Sequence, residues 1–134
     1  MKRLFTLFFI AVLSLGLFSS AHAQDSVLVT FNVDFSLFAD TSSTFNANED
    51  SVFITGDFLG WNEPGTNEDL MMTDVDADSV YTFQDSVAKN DTIQYKYFYV
   101  PSGEGSSWSY GDWDGTDNRV QMVGENDTTF NEFY

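Results

Sequence analysis

The sequence contains no cysteine, and its single histidine, His22, lies near the amino terminus. No disulfide can therefore stabilise the protein. Beyond position 22, the chain can build neither a Ser-His-Asp triad nor a Cys-His pair, since both need a histidine. Zinc sites made of Cys and His ligands are excluded for the same reason. These absences remove the most common forms of nucleophilic and zinc-dependent catalysis.

The sequence also has few positively charged residues. The chain has 5 Lys and Arg residues against 21 Asp and Glu residues. Nucleic acids attract proteins through Lys and Arg, and anionic membranes do the same. A chain this acidic is therefore not expected to bind either of them or to insert into a membrane. Most of the acids are Asp, which favours turns, so we expect a strongly solvated surface with many loops.

The amino terminus has the pattern of a secretory signal peptide. Lys2 and Arg3 precede an apolar run from position 4 to 18, and the small-residue sequence Ala21-His22-Ala23 follows. This pattern predicts cleavage after Ala23 and export, so the protein is expected to be secreted, periplasmic or at the cell surface. The run is short for a membrane span. Residues 24–134 are then a single domain with Lys89, Lys96 and Arg119 as its only cations.

The remaining sequence is a series of short β-strand patterns separated by turn-rich loops. Apolar residues alternate from Val27 to Phe35, and the run from Thr92 to Val100 is rich in tyrosine and β-branched residues. No window has the periodicity of an amphipathic helix, and 40–50 is predicted to be a polar surface loop. About seven strands in a chain of this length predict an all-β fold, an immunoglobulin-like antiparallel β-sandwich. The predicted strands are 27–35, 51–55, 70–72, 80–83 with an extension towards Val87, 92–100, 119–123 and 128–133.

Two tryptophans lie in glycine-containing, strand-poor segments: Trp61 within 56–62 (GDFLGWN) and Trp113 within 113–119 (WDGTDNR). Loops run over the surface and carry function more often than packing. Flat aromatic rings with a few hydrogen-bonding groups suit sugar rings, which have apolar C–H faces and a rim of hydroxyls. Lys96, on the strand between the two segments, and Asn118 are candidates for those polar groups.

Each of these residues also has a structural interpretation. Trp61 could cover one end of the core, and Lys96 could be a solvated strand lysine. For Arg119, an ion pair with Asp114 or Asp117 is favoured over a ligand contact. Trp108 and Tyr110 are interpreted as packing or secondary contacts.

The order of motifs resembles the starch-binding domain, the family 20 carbohydrate-binding module. A strand is followed by G-x-x-L-G-W ending at Trp61, then by L-M at Leu70, by Y-K-Y around Lys96, and by W-x-x-x-x-N-R beginning at Trp113. The first motif is also similar to the family 48 glycogen-binding module. The resemblance extends from Val29 to about Val123.

This resemblance implies a non-catalytic module without a cofactor that binds α-glucan chains of the starch or glycogen type. Two tryptophans would hold adjacent glucose units, and the lysine and asparagine would bond their hydroxyls. These roles fall on Trp61, Trp113, Lys96 and Asn118. A glucan-active enzyme or a surface glycan-uptake complex is the implied partner. The alternative is a protein-interaction or regulatory module of the same fold without glycan binding.

Two other features argue for a single sugar site and no metal. The family's second site uses a tyrosine shortly after L-M, where this chain has Thr73-Asp74-Val75-Asp76. Asp74, Asp76 and Asp78 form a D-x-D-x-D run, but Ser79 stands where a calcium loop has glycine. We interpret the run as an acidic turn.

Overall fold

The computed structural model describes residues 25–113 and 117–134. These ranges form six strands and one short helix. The predicted signal peptide, residues 1–23, lies outside them, and within them no helix is long and apolar enough to cross a membrane. The elements are β1 (Ser26–Asp34), α1 (Ser36–Thr41), β2 (Ser51–Gly56), β3 (Val80–Ala88), β4 (Thr92–Val100), β5 (Arg119–Met122) and β6 (Thr128–Phe133).

The strands form two three-stranded sheets, with the orders β3-β1-β6 and β2-β4-β5. The predicted all-β sandwich is confirmed, with six strands. One pair, β1 with β6, is parallel, whereas the other three pairs are antiparallel. The strand predicted at 70–72 is replaced by a 3-10 turn at Glu68–Leu70 and a single bridge between Met71 and Phe53. The turn takes up Leu70, the first residue of the predicted strand, so too few residues remain to pair with β2 as a strand.

The core lies between the sheets and is mainly aromatic. Phe31, at the centre of β1, is fully buried and contacts the rings of Phe58, Phe83, Tyr95 and Phe130. It belongs to the alternating apolar residues of β1, whose side chains all point inward because successive residues face opposite sides of a strand. From the facing sheet, β4 contributes Ile93, Tyr95, Tyr97 and Tyr99.

The segment between β1 and β2 differs from the polar loop expected there. It begins with α1, whose six residues are too few to produce a periodic pattern in the sequence. It then places Phe45 in the core, where its ring lies 4.9 Å from that of Phe35. A single aromatic among polar residues has no periodicity, so the sequence pattern did not reveal this anchor.

The central strand β4 is buried on both faces from Tyr95 to Val100. Its inner face joins the core, whereas its outer face is covered by loops. A small second cluster forms there from Phe53 of β2, Val100 of β4 and Leu70 of the loop after β2. These loops carry the tryptophans.

Candidate functional site

Trp108 and Trp113 lie next to the outer face of the β2-β4-β5 sheet, against Phe98, and Trp61 lies in the loop that follows β2. All three tryptophans are partly exposed. The exposed fraction is 37% for Trp61, 40% for Trp108 and 47% for Trp113. Tryptophan is usually largely buried, so three exposed indoles on neighbouring loops form an unusual surface. We call this surface, with the loops 57–71 and 101–113 and residues 117 and 118, the tryptophan face.

Trp113 lies between two segments that pair with β4. Just before it, the backbone of 110–112 pairs with β4: the Tyr99 N–H donates to the Tyr110 carbonyl at 3.0 Å, and the Asp112 N–H donates to the Tyr97 carbonyl at 3.1 Å. Further along the chain, β5 pairs with the earlier part of β4, with Arg119 opposite Tyr95. Residues 110–112 and β5 are therefore both fixed to the same strand.

Lys96 lies on β4 between the positions at which these two segments pair. Its side chain is buried, with 1% of the residue exposed. The Nζ donates to the main-chain carbonyls of Asp112, at 3.0 Å, and Asp117, at 2.8 Å. It also lies 4.8 Å from the centre of the Trp113 ring, within the range of a cation–π contact. The lysine predicted to bond a sugar hydroxyl thus lies behind Trp113, where it holds the loop.

A buried charge network continues from Lys96 into the core. Asp112 accepts a hydrogen bond from Arg119 Nε, and its Oδ1 is 3.8 Å from Lys96 Nζ. Arg119 Nη1 is 3.4 Å from Glu132 Oε1. Among the described residues, Arg119 pairs with Asp112 and Glu132 and not with Asp117. The other predicted partner, Asp114, lies outside the described residues.

Burial is the largest influence on the pKa values of Asp112, Tyr95 and Tyr97. It raises the pKa of the Asp112 carboxyl, while the hydrogen bond and charge of Arg119 and the charge of Lys96 oppose the shift without cancelling it. Burial also raises the pKa of Tyr95 and of Tyr97, with a further increase from Glu132, to which both hydroxyls donate at 2.8 Å. These bonds tie the inner face of β4 to β6, so the network joins the two sheets beneath the Trp113 loop.

Trp61 is held by a strained turn at the end of β2. Gly60 and Trp61 both have left-handed backbone conformations, with φ of 75° and 50°. This region is unfavourable for a residue with a β-carbon and persists where the surroundings impose it. Here the Trp61 N–H donates to the Gly56 carbonyl at 2.9 Å, and the Asn62 side chain donates to the Leu59 carbonyl at 2.7 Å. The indole is thus held in a fixed turn and remains partly exposed.

A cleft of about 610 Å³ brings together two of the four predicted residues, Trp113 and Asn118. Tyr110 and Tyr134 contribute further aromatic lining. The Asn118 Nδ2 is 3.4 Å from Gln94 Oε1, a long contact that leaves the amide available to a ligand. Trp61 and Lys96 do not line this cleft. Asp114, part of the second motif, lies outside the described residues.

Phe98, Trp108 and Gly111 form a cluster that the sequence did not reveal. Trp108 and Trp113 both contact the buried ring of Phe98, at centroid distances of 5.5 and 5.7 Å. Gly111 crosses directly over this ring, and a β-carbon there would lie 2.5 Å from Phe98 Cε1. In the sequence, the only sign of this cluster is that two tryptophans flank a glycine. The register of 110–112 beside β4 explains the spacing, because it places Gly111 over the Phe98 ring.

The acidic run forms a turn. The Asp74 carboxylate accepts hydrogen bonds from the backbone N–H groups of Asp78, at 3.2 Å, and Ser79, at 3.0 Å. The carboxylates of Asp74, Asp76 and Asp78 lie within 4.8 Å of one another. This cluster is separate from the tryptophan face in the sequence and precedes β3.

The architecture is shared with known structures. A family 20 carbohydrate-binding module of the maltotetraose-forming amylase from Pseudomonas saccharophila superposes with a TM-score of 0.50 and 15% identity over 77% of this chain and 99% of the module. The fold is that of a family 20 carbohydrate-binding module. The resemblance seen in the sequence motifs is thus confirmed at the level of the fold.

Two larger proteins contain the same fold. The family 15 glucoamylase from Hypocrea jecorina gives a TM-score of 0.55 at 16% identity, and the γ-CGTase from Bacillus clarkii gives 0.53 at 17% identity, each over 81% of this chain. The chain spans only 17% and 15% of those two proteins. No protein-family profile matches the sequence. No curated protein matches it.

Proposed function

We propose that the protein is an exported, non-catalytic module that binds α-glucan chains by stacking glucose rings on Trp61 and Trp113. The observation that carries this proposal is the exposure of both indoles on loops that cover one sheet face. The shared fold with the module of a maltotetraose-forming amylase favours an α-glucan as the ligand.

In this proposal, the four predicted residues have two kinds of role. Trp61 and Trp113 provide apolar surfaces for the C–H faces of the sugar, and Asn118 bonds a hydroxyl in the cleft beside Trp113. Lys96 holds the loop through the carbonyls of Asp112 and Asp117. A loop fixed before binding loses little conformational entropy when the ligand arrives, which favours affinity.

The acidic character of the chain is compatible with this ligand. A neutral glucan has no charge to be repelled by the 21 acids, whereas a polyanion does. A glucan-active enzyme or a surface glycan-uptake complex would be the partner, and the module would hold the glucan close to it.

Fluorescence titration with maltoheptaose tests the proposal. We expect a saturable change in tryptophan emission and no response to the β-linked cellohexaose. Trp113→Ala should weaken maltoheptaose binding at least tenfold, about 1.4 kcal/mol. Leu28→Ala is the matched control, since Leu28 is 42% exposed on the outer face of the other sheet. No saturable response, or binding retained by Trp113→Ala, would contradict the proposal, and capture of a protein partner in place of glucan would favour the interaction module.

A further inference from the structure

Trp108 and Trp113 rest on one buried ring. Each indole lies edge-on to Phe98, with interplanar angles of 80° and 82°. Phe98 itself is 1% exposed and sits on the central strand β4, so it is a rigid support. Because both indoles contact the same ring, Trp108 and Trp113 belong to one aromatic cluster on the tryptophan face.

The loop carrying Trp108 is also joined to the loop carrying Trp61. The Ser107 N–H, one residue before Trp108, donates to the Pro64 carbonyl at 3.1 Å. The two backbones meet so closely that a β-carbon on Gly65 would lie 2.5 Å from the carbonyl oxygen of Gly105. Trp108 is thus connected to the Trp61 loop on one side and to Trp113 on the other.

Packing alone does not account for this position. Among the described residues, Phe98 is the only aromatic ring in contact with Trp108, and 40% of the tryptophan remains exposed. A large rigid side chain on an anchored backbone provides contact area at a small entropic cost, the property that makes tryptophan frequent in binding sites.

We propose that Trp108 is a third stacking position of the site, which contacts the additional glucose units of a longer α-glucan between Trp61 and Trp113. This inference rests on the proposed function and extends it. The site would then be a continuous surface of three indoles that selects for chain length, because a short oligosaccharide reaches Trp113 without reaching Trp108.

A series of linear oligosaccharides separates a stacking role from a packing role. Titration calorimetry would measure maltose, maltotriose and maltoheptaose binding to the wild type, Trp108→Ala and Trp113→Ala. We expect Trp108→Ala to weaken maltoheptaose binding at least fivefold and to leave maltose binding within twofold. Trp113→Ala should weaken the binding of all three sugars.

The outcomes are distinct. An equal loss for every length in Trp108→Ala, or no loss for maltoheptaose, overturns the inference while leaving the proposed function intact. Failure of the wild type to bind any of the sugars overturns the proposed function itself. Trp108→Phe, which keeps a ring on Phe98, provides a second readout if Trp108→Ala does not fold, and it should retain part of the length dependence.

Discussion

The two sheets of the sandwich present very different outer faces. On the β2-β4-β5 sheet, loops cover the strands, a lysine is buried and three tryptophans are exposed. The outer face of the β3-β1-β6 sheet is an open array of amides and hydroxyls, in which Thr82 bonds to Asn32, Asn32 to Asn131, and Gln84 to Thr30, at 2.8–2.9 Å. We call this second surface the ladder face.

The comparison shows that the two faces arrange polar and apolar side chains differently. Cross-strand polar pairs on the ladder face are solvated and bond to one another. On the tryptophan face, apolar rings remain exposed while charged groups are buried to hold them. These exposed rings are the surface on which the proposed glucan would stack.

The largest expected loss of stability follows from removing the Asp112 carboxylate, which lies next to Trp113. Asp112→Ala removes the carboxylate bonded to Arg119 and leaves Arg119 and Lys96 without their shared partner. Removing one member of a buried ion pair destabilises a protein by about 3–5 kcal/mol, which is what we expect here. Urea unfolding would measure it. A loss below 1 kcal/mol, comparable with surface substitutions, would show that the network does not anchor this face.

Gly111→Ala should have the next largest effect. The added methyl group collides with the Phe98 ring that supports Trp108 and Trp113, so we expect a destabilisation of about 1–3 kcal/mol, as in overpacked cores. Maltoheptaose affinity should fall with it. Gly124→Ala is the control, because nothing lies within 4 Å of a β-carbon there. Equal stability of the two variants would contradict the described packing.

Substitutions of Trp61 should change stability by a smaller amount, and glycine should be more stable than alanine at this position. Glycine tolerates a positive φ, whereas alanine does not, so Trp61→Gly should be more stable than Trp61→Ala by about 1 kcal/mol. Both variants should lose affinity for maltoheptaose. Thermal unfolding of the pair measures the difference. If alanine proves the more stable residue, the left-handed turn is not maintained.

The smallest effects are expected on the ladder face. Gln84→Ala removes one solvated hydrogen bond to Thr30 and should change the free energy of unfolding by no more than about 0.5 kcal/mol. Calorimetry with maltoheptaose should give an unchanged dissociation constant. A tenfold loss of affinity would indicate that the sugar binds on the ladder face, which would contradict the proposed site.

Strand patterns revealed most of the fold, because alternation reports directly on which side of a strand is buried. The bounds predicted for the strands at 92–100 and 128–133 agree with β4 and β6. The helix α1 and the buried Phe45 could not be foreseen, since neither has a periodic pattern. The parallel pairing of β1 with β6 depends on how the sheets close and leaves no local signal.

The site was only partly accessible from the sequence. Motif spacing selected Trp113 and Asn118, which the structure brings to one cleft. The burial of Lys96 was not predicted, because a lysine on a strand reads as solvated unless the covering loop is known. The position of Trp108 is not evident from the sequence for a related reason: the contact between the Pro64 and Ser107 backbones joins residues far apart in the chain.

A chemical-shift map of the backbone amides during titration with maltoheptaose would show which face of the protein binds the sugar. We expect the shifting signals to cluster on the tryptophan face, around Trp61, Trp108 and Trp113, and to follow one common midpoint. Amides of the ladder face, such as those of Thr30 and Gln84, should not move. Shifts centred on the ladder face, or none at saturating sugar, would contradict the account.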